Sequence, residues 1–233
     1  MLLSGPGRYT LADESHIPLK GINLPKSVRD AYDRWARTYD TMPNLTRDLD
    51  GNCLRITLMG QNLGDVLELG CGTGKNTKWL ANHGQVTGLD FSTKMLAQCR
   101  TAAPTAEIHV ADLTVRWPVH DKTADTIIVG LVLEHVEDLD HIAAESARVL
   151  RGNGRIRISE LHPARQKEGK GARFEDDGVL VKPTTFVHRT EEYMTAFLRA
   201  GFVLDALSEP RSAEDPMDRP PRLLVMMLSL PSV

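Results

Sequence analysis

The chain has 233 residues, which is enough for one large domain with a sizeable core or for one domain with a small lid. Its hydrophobic fraction of 41% and its charged fraction of 25% are ordinary for a soluble globular protein. The net charge of -3, without any long basic block, gives no support for electrostatic capture of nucleic acid.

Nothing in the sequence has the pattern of a membrane span or a leader. The longest apolar stretches, such as Leu223 to Leu228, are too short to cross a bilayer. The first residues lack the charged start and the long apolar core of a signal peptide. Cys53, Cys71 and Cys99 are odd in number and show no paired metal spacing. We therefore expect a cytoplasmic protein with reduced thiols and no contact with a membrane.

The first 60 residues have a different character from the rest. Residues 1–26 are rich in glycine and proline and predict an irregular arm. Ser27 can cap a helix that reaches about Asp40, and a second helix is expected from Leu45 to Met59. The first of these helices has an aromatic and apolar face made of Val28, Tyr32, Trp35 and Tyr39. We assign residues 1–60 to an arm and helical cap, and residues 61–233 to the main domain.

A glycine-rich turn follows the first clear strand. Val66, Leu67 and Leu69 form an apolar run typical of a buried parallel strand. Glycines then occupy every second position, at Gly70, Gly72 and Gly74, and residues 75–83 predict a helix. The turn therefore lies at a helix N-terminus, where free N–H groups and a partial positive charge can meet a ligand.

Two residues at this turn argue against a dinucleotide site. Lys75 stands where the pattern Gly-x-Gly-x-x-Gly requires its third glycine. Glu68 precedes the first glycine by two residues, and its carboxylate would repel a pyrophosphate but suit a ligand with an ammonium group. An NAD-linked dehydrogenase is therefore the least supported class.

Further strands alternate with helices along the chain. Strands are expected at 85–90, 107–111, 124–130 and in the segment 151–160, with a helix at 92–102 and an apolar helical face from Leu139 to Leu150. A helix capped by Thr190 and ended by Gly201 follows, and strands at 202–207 and 222–230 come last. The order predicts an α/β fold with a doubly wound, Rossmann-like sheet and ligands at the carboxyl ends of its strands.

Carboxylates follow two of these strands. Asp90 ends the second strand, 16 residues beyond Gly74, where it can accept both ribose hydroxyls of a nucleoside. Its alternative role is a helix cap, although Ser92 or Thr93 could cap equally well. Asp112 follows the third strand and either accepts a bond from an adenine amino group or is a solvated turn residue.

The pattern Glu68-x-Gly-x-Gly-x-Gly74 resembles the first motif of the class I S-adenosylmethionine (SAM)-dependent methyltransferases. Leu131–Val136 and Arg151–Glu160 resemble later motifs of this family, with Asn153 at a position where glycine is usual. Ala31–Asp40 resembles the N-terminal "YDxWAxxYD" segment of its small-molecule type. The resemblance covers about residues 28–230 and implies a seven-stranded, mostly parallel sheet whose last strand is antiparallel.

The resemblance also implies SAM as cofactor and S-adenosylhomocysteine (SAH) as product. Tyr39 would close over the methionine end or would only pack its helix on the domain as part of the aromatic face. Phe91 and Met95 would flank the adenine. The full set of expected cofactor contacts is Tyr39, Glu68, Gly70, Cys71, Gly72, Gly74, Asp90, Phe91, Met95, Ala111, Asp112, Leu113, Gly130 and Leu131.

A general base is needed only if the acceptor atom still holds its proton when it attacks. The candidates are His162, His135, His188 and Glu134. His162 ends the fifth strand and is expected to face the pocket or to hold the next segment in place; for His135 we favour bracing of its loop. No His-x-x-x-His pattern or acidic ligand set accompanies these histidines, so we expect no metal.

The acceptor is expected to be small. Residues 161–189 have little periodicity and many charges, and we interpret them as a substrate lid. Family members that act on DNA or protein nitrogens carry "(N/D)PP(Y/F)" after the fourth strand, where this chain has Gly130-Leu-Val-Leu. We therefore expect methyl transfer to an oxygen or nitrogen of a metabolite, by a monomer or homodimer that binds no nucleic acid. A non-catalytic SAM- or SAH-binding partner and a SAM-dependent enzyme of another reaction type are the alternatives.

Overall fold

A computed structural model describes residues 22–23 and 27–232, so most of the expected arm at 1–26 lies outside the described residues. The strands are β1 Ile22–Asn23, β2 Gly64–Leu69, β3 Gly84–Asp90, β4 Glu107–Val110, β5 Ala124–Gly130, β6 Leu150–Leu161, β7 Phe174–Asp176, β8 Val179–Val181, β9 Val203–Ser208 and β10 Leu223–Ser229. The helices are α1 Val28–Trp35, α2 Leu45–Leu58, α3 Thr77–Leu80, α4 Thr93–Ala102, α5 Leu139–Val149, α6 Pro163–Lys167 and α7 Thr190–Arg199.

Seven strands form the main sheet, in the order β4-β3-β2-β5-β6-β10-β9. β2 pairs in parallel with both β3 and β5, and β5 pairs in parallel with β6. β10 is antiparallel to both of its neighbours, β6 and β9. The predicted Rossmann-like sheet, with its antiparallel last strand, is confirmed.

Both faces of the sheet are covered, because neighbouring residues of a strand point to opposite sides. Leu67 and Leu69 of β2 belong to a large buried cluster that includes Ile142 of α5 and Phe197 of α7. Val66, which directly precedes Leu67 in the chain, belongs to a second buried cluster on the other face, which includes Leu54, Leu58, Leu80 and Ile128. Full burial of each such aliphatic side chain stabilises the fold by about 1.5–3 kcal/mol.

Local hydrogen bonds set the helix ends. Ser27 caps α1 by accepting from the N–H of Asp30 at 3.1 Å, and Ser92 caps α4 by accepting from that of Met95. The prediction that the first helix reaches Asp40 is wrong, because i→i+3 bonding such as Thr38 N–H to Trp35 O converts residues after Trp35 into turns.

Two other helix boundaries also differ from the expectation. The helix after the glycine turn contains only Thr77–Leu80, because i→i+3 bonds tighten its last turn before β3 begins. Thr190 is the first residue of α7 and not its cap; Arg189 occupies the cap position, and its N–H donates to the Glu192 carboxylate at 2.7 Å.

The segment 161–189 is ordered around a small second sheet. β7 and β8 form a hairpin, and β8 pairs in parallel with β1. Phe174 stacks on Trp35 of α1 with ring centroids 4.8 Å apart, and Arg34 forms an ion pair with Asp176 at 2.7 Å. The hairpin is thus joined to α1 by apolar and charged contacts. The division into a cap at 1–60 and a main domain at 61–233 stays a prediction.

Candidate active site at the strand ends

The glycine turn connects β2 to α3 through backbone conformations that residues with a side chain rarely adopt. Gly70, Gly72 and Gly74 all have positive φ, at 69°, 53° and 88°. A Cβ at Gly70 would lie 2.7 Å from Cγ2 of Val132, whereas the nearest atom to one at Gly72 would be Gly70 O at 4.0 Å. Gly70 therefore permits close packing, and Gly72 leaves open space that a ligand could occupy.

Asp90 ends β3 with a buried carboxylate whose two oxygens are both held by backbone. Oδ2 accepts from the N–H of Gly72 at 3.0 Å, and Oδ1 accepts from that of Ser92 at 2.8 Å. Burial raises the pKa of Asp90 to about 6, although these N–H donors act in the opposite direction. Each oxygen keeps lone pairs for a further donor, so the group can accept two hydroxyls at once.

A cavity of about 480 Å³, here called the strand-end cavity, opens at this turn. It is lined by these residues predicted from the sequence: Tyr39, Gly70, Gly72, Asp90, Phe91, Met95, Ala111, Asp112, Leu113, Gly130, Leu131 and His135. Most of these side chains are apolar, and the carboxylates of Asp90 and Asp112 are the acidic groups of this set. The shape and lining are those of a small-molecule site.

Asp112 is exposed at the rim of this cavity. Its Oδ1 accepts from both the N–H and the hydroxyl of Thr114, at 2.9 and 2.7 Å. The hydroxyl of Thr114 and then its N–H lower the pKa of Asp112, against the opposing effect of partial burial. The carboxylate is therefore ionised at neutral pH and can accept a bond from a ligand amino group.

Glu68 and Cys71 line a smaller cavity of about 60 Å³ at the same turn. Arg47 and Asp50 also line this cavity. Glu68 accepts from the hydroxyl of Thr77 at 2.6 Å, and burial raises its pKa to about 8. Cys71 is buried against Cys99, and its contact with that thiol, together with burial, raises the pKa of Cys71. An unreactive thiol that fills the turn fits this environment.

Gly74 does not line any of these cavities. A Cβ at this position would lie 3.0 Å from both Cα and Sγ of Cys99 in α4. The third glycine therefore brings the turn against a helix, and the expected cofactor contact of Gly74 stays a prediction.

A second cavity of about 440 Å³, here called the basic cavity, adjoins the first. Tyr32, Tyr39 and Leu131 line both. Six cationic residues line the basic cavity: Arg47, Arg165, Lys170, Arg173, Arg219 and Arg222. Sequence reasoning missed this cluster because its members lie in three separate segments of the chain.

Tyr32 and His135 form a hydrogen-bonded pair at the boundary of the two cavities. The Tyr32 hydroxyl lies 2.8 Å from Nε2 of His135, and Nδ1 lies 2.8 Å from the carbonyl oxygen of Thr184. A carbonyl only accepts, so Nδ1 carries the hydrogen and Nε2 of the neutral ring accepts from the hydroxyl. Burial lowers the pKa of His135, which favours this neutral form.

Glu134 presents a buried carboxylate to the basic cavity. Its Oε2 has no hydrogen-bond partner among the described residues. Burial raises the pKa of Glu134 to about 7, against the effect of an N–H bond from Ala172. The group can therefore exchange a proton near neutral pH.

The other two histidine candidates lie elsewhere. His162 was expected either to face the pocket or to hold the next segment in place, and its contacts are of the second kind: its Nδ1 accepts from the N–H of Ala164 at 3.2 Å, and Nε2 lies 3.0 Å from Glu209. His188 is buried with Nε2 2.7 Å from the carbonyl of Val136. Neither residue lines the two cavities. Cap and loop contacts occupy their rings, so both have structural positions.

Within residues 27–232, no group of three or more His, Cys, Asp or Glu side chains has the arrangement of a metal site. Among the described helices, none is long and apolar enough to cross a membrane.

Comparison with known proteins identifies relatives of the chain. A family model described as a methyltransferase domain matches residues 67–158. An uncharacterized methyltransferase of Emericella nidulans is 29% identical over 221 residues, which cover 77% of each chain. A demethylmenaquinone methyltransferase of Thermotoga maritima is 31% identical over 158 residues, which cover 65% of this chain and 69% of that protein.

The fold is also found among solved structures. The N-methyltransferase NodS from Bradyrhizobium japonicum, in complex with SAH, superimposes with a TM-score of 0.68 at 15% identity. The match covers 89% of this chain and 100% of that one. This likeness shows that the two chains share a fold. The chain belongs to the class I SAM-dependent methyltransferases.

Proposed function

We propose that this methyltransferase transfers the methyl group of SAM to an oxygen or nitrogen of a small-molecule metabolite. The observation that carries the proposal is the meeting of two cavities at Tyr32, Tyr39 and Leu131. One cavity is built from the motif residues of the family, and the other is closed by the N-terminal helices and the segment 161–189. A cofactor in the first would point its reactive end toward an acceptor in the second.

The residues of the strand-end cavity fit the nucleoside part of SAM. Asp90 would accept the two ribose hydroxyls, because its oxygens keep lone pairs besides those that accept from the N–H groups of Gly72 and Ser92. Phe91 and Met95 would pack on the adenine, and Asp112 would accept its amino group. The open space at Gly72 would let the cofactor approach the backbone closely.

Residues of the small cavity fit the amino-acid part of SAM. Arg47 lies over the ring of Tyr39, with its guanidinium carbon 3.9 Å from the ring centroid, and would bind the carboxylate. Glu68 would lie near the ammonium group, and a positive charge beside it would lower the pKa that burial has raised. Tyr39 would close over this end of the cofactor.

SAM supplies an electrophilic methyl group, whose in-line transfer forms the bond to the acceptor, breaks the bond to sulfur and leaves SAH. The protein's task is to align the acceptor and to exclude water, and alignment of this kind contributes up to about 7–11 kcal/mol. Where the acceptor is a hydroxyl or a protonated nitrogen, Tyr32 would take its proton while passing its own to Nε2 of His135.

The cap would exclude water from the reaction. Trp35 of α1 stacks on Phe174 of the hairpin, and Asp176 binds both Arg34 and Arg37. These contacts join residues 1–60 to the segment 161–189, so we propose that the two act together as the substrate cap. A monomer or homodimer would suffice for such a site.

A small acceptor is supported by two further observations. The chain lacks "(N/D)PP(Y/F)" after β5, and its sequence there is Gly130-Leu-Val-Leu. The Thermotoga maritima relative is named for demethylmenaquinone, a small molecule.

The direct test uses SAM labelled on its methyl carbon, purified protein and a host extract. Label is followed into small-molecule, protein and nucleic-acid fractions, and we expect it in the first. Label confined to a macromolecule would contradict the acceptor class, and SAM binding without any label would favour a non-methylating role.

The cofactor site has its own test. Asp90→Ala should weaken SAH binding at least about tenfold in calorimetry, because it removes the acceptor of two hydroxyls. Asp121→Ala, an exposed aspartate outside the strand-end cavity, is the matched control. Unchanged affinity in Asp90→Ala would remove this residue from the site.

A further inference from the structure

We infer that the methyl acceptor carries a carboxylate or phosphate group, and that Lys170, Arg173 and Arg219 bind this group in the basic cavity. The inference rests on the proposed function, since it names the class of acceptor for the same site.

The charge of the basic cavity is opposite to that of the whole protein. The chain has a net charge of -3, yet six cations line this cavity and Glu134 is the acidic residue among the lining side chains. A concave surface lined by one sign of charge concentrates ligands of the opposite sign. The cavity is therefore suited to an anion.

Two of the six cations build the wall. Arg165 and Arg222 share the carboxylate of Asp215, with Arg165 Nη2 at 2.9 Å and Arg222 Nε at 3.0 Å. Burial alone would raise the pKa of Asp215, but hydrogen bonds from these two guanidinium groups outweigh it and lower the pKa. Arg222 also donates to the hydroxyl of Thr46 in α2 at 3.1 Å. This ion triad holds α6, α2 and the loop before β10 together, and one positive charge stays in excess.

The side chains of three other cations make no ion pair or hydrogen bond with the described residues. Lys170, Arg173 and Arg219 have no carboxylate within 4.0 Å, and their side chains donate no hydrogen bond, among the described residues. They come from the connection between α6 and β7 and from the loop before β10, and they line the same cavity. Three positive charges that line one cavity repel each other, and this repulsion costs free energy. A bound anion would offset that cost, whereas cations that only interact with water have no reason to lie together.

The position of these three residues separates their ligand from the cofactor. They line the basic cavity and not the strand-end cavity, whereas Arg47 also lines the small cavity beside the glycine turn. Arg47, which already donates to the carbonyl oxygens of Tyr39 and Met42, therefore lies beside the proposed cofactor site, and the three others are available for a group of the acceptor. Arginine pairs well with the planar carboxylate and with phosphate, and lysine adds a mobile point charge.

The test measures anion binding without turnover. Full-length protein saturated with SAH is titrated by calorimetry with inorganic phosphate, with malonate and with the uncharged malonamide. We expect phosphate or malonate to bind and malonamide not to bind. The stronger of the two anions identifies the chemistry of the acceptor group.

A triple variant, K170Q/R173Q/R219Q, should weaken that binding at least about tenfold, since it removes three charged donors. The matched control, K78Q/R116Q/R199Q, changes the net charge equally at positions outside the basic cavity and should bind the anion normally. Undiminished binding in the first variant, or an equal loss in the second, would overturn the inference. Malonamide binding as tight as that of malonate would also overturn it.

SAH affinity separates this inference from the proposed function. Both triple variants should bind SAH with unchanged affinity, because none of the six positions lines the strand-end cavity. In a second experiment, a host extract is divided by anion exchange, and each fraction is incubated with the protein and methyl-labelled SAM. We expect labelled product from the fraction of anionic metabolites. Label from neutral metabolites alone, or in nucleic acid, would contradict an anionic small acceptor. No label at all would count against methyl transfer, and the titrations would still decide whether the cavity binds anions.

Discussion

The hydroxyl of Tyr32 in the cap helix donates a hydrogen bond of 2.8 Å to Nε2 of His135, which follows β5. The two residues are 103 positions apart in the chain, and their rings meet edge to face with centroids 5.2 Å apart. The pair lies where the strand-end cavity and the basic cavity meet, so α1 supplies one half of the candidate proton acceptor and the segment after β5 supplies the other half.

We predict that Tyr32→Phe and His135→Asn both reduce kcat by about 10²-fold when the acceptor must lose a proton, because either change breaks the route to Nε2. Asn keeps a donor near the carbonyl of Thr184, so the loop should stay in place. Stopped assays with labelled SAM measure kcat, and calorimetry with SAH should show little change in affinity. Tyr193→Phe is the matched control, because its buried hydroxyl has no partner among the described residues. A normal kcat in Tyr32→Phe would assign this pair to a structural role.

The pH dependence of kcat/KM distinguishes the two candidate bases. Burial lowers the pKa of His135 below its ordinary value of 6.5. The ring therefore stays neutral, and able to accept a proton through Tyr32, at pH 6.5 and above. Glu134 has a pKa of about 7, so a reaction that needs its carboxylate would lose rate about tenfold per pH unit below 7. We expect no break near pH 7 and nearly normal activity in Glu134→Gln. A break that this variant abolishes would make Glu134 the base.

We predict that Gly72→Ala weakens SAH binding while the fold survives. Alanine at positive φ costs about 1–2 kcal/mol of stability, and its methyl group would enter the open space of the strand-end cavity. Gly60→Ala carries the same backbone cost, at φ 73° with no atom within 4 Å, and should bind SAH normally. Thermal unfolding and calorimetry compare the two variants. Equal SAH affinities would show that the cofactor does not approach Gly72.

We predict that the free energy of unfolding falls as pH rises from about 4.5 to 8, in part because of Glu160. Burial raises the pKa of this group from 4.5 to about 8, although its Oε1 accepts the N–H groups of Val132 and Leu133. The unfolded chain releases the proton above about pH 4.5 and the folded protein keeps it to about pH 8, so stability present at low pH is lost across this range.

Glu160→Gln should reduce that slope by about 1.4 kcal/mol per pH unit, since the amide keeps an acceptor for both N–H groups and does not titrate. Urea unfolding at pH 6 and pH 8 gives the free energy of unfolding at each pH and thus the slope. Glu137→Gln, on the exposed turn after β5, should leave the slope unchanged. An unaltered slope in Glu160→Gln would show that its ionisation is not coupled to folding.

Much of the candidate cofactor site could be predicted from the sequence because its signals are local. A strand followed by glycines at every second position, and Asp90 at the end of the next strand, are readable from neighbours in the chain. Parallel strands then bring their carboxyl ends to one edge of the sheet, which is why residues from Gly70 to Leu131 line one cavity.

Only the tertiary structure decided which way the histidine side chains point and which cations line the basic cavity together. His162 turns toward Glu209, 47 residues away, and Asp215 brings Arg165 and Arg222 together from either side of α7. No periodicity encodes such contacts, because they depend on which distant loops pack against each other. The sequence by itself therefore determined the sheet and the edge where the candidate cofactor site lies, through local backbone preference and strand order. The basic cavity, which we propose for the acceptor, depends on long-range ion pairs and side-chain packing, and these exist only once the chain has folded.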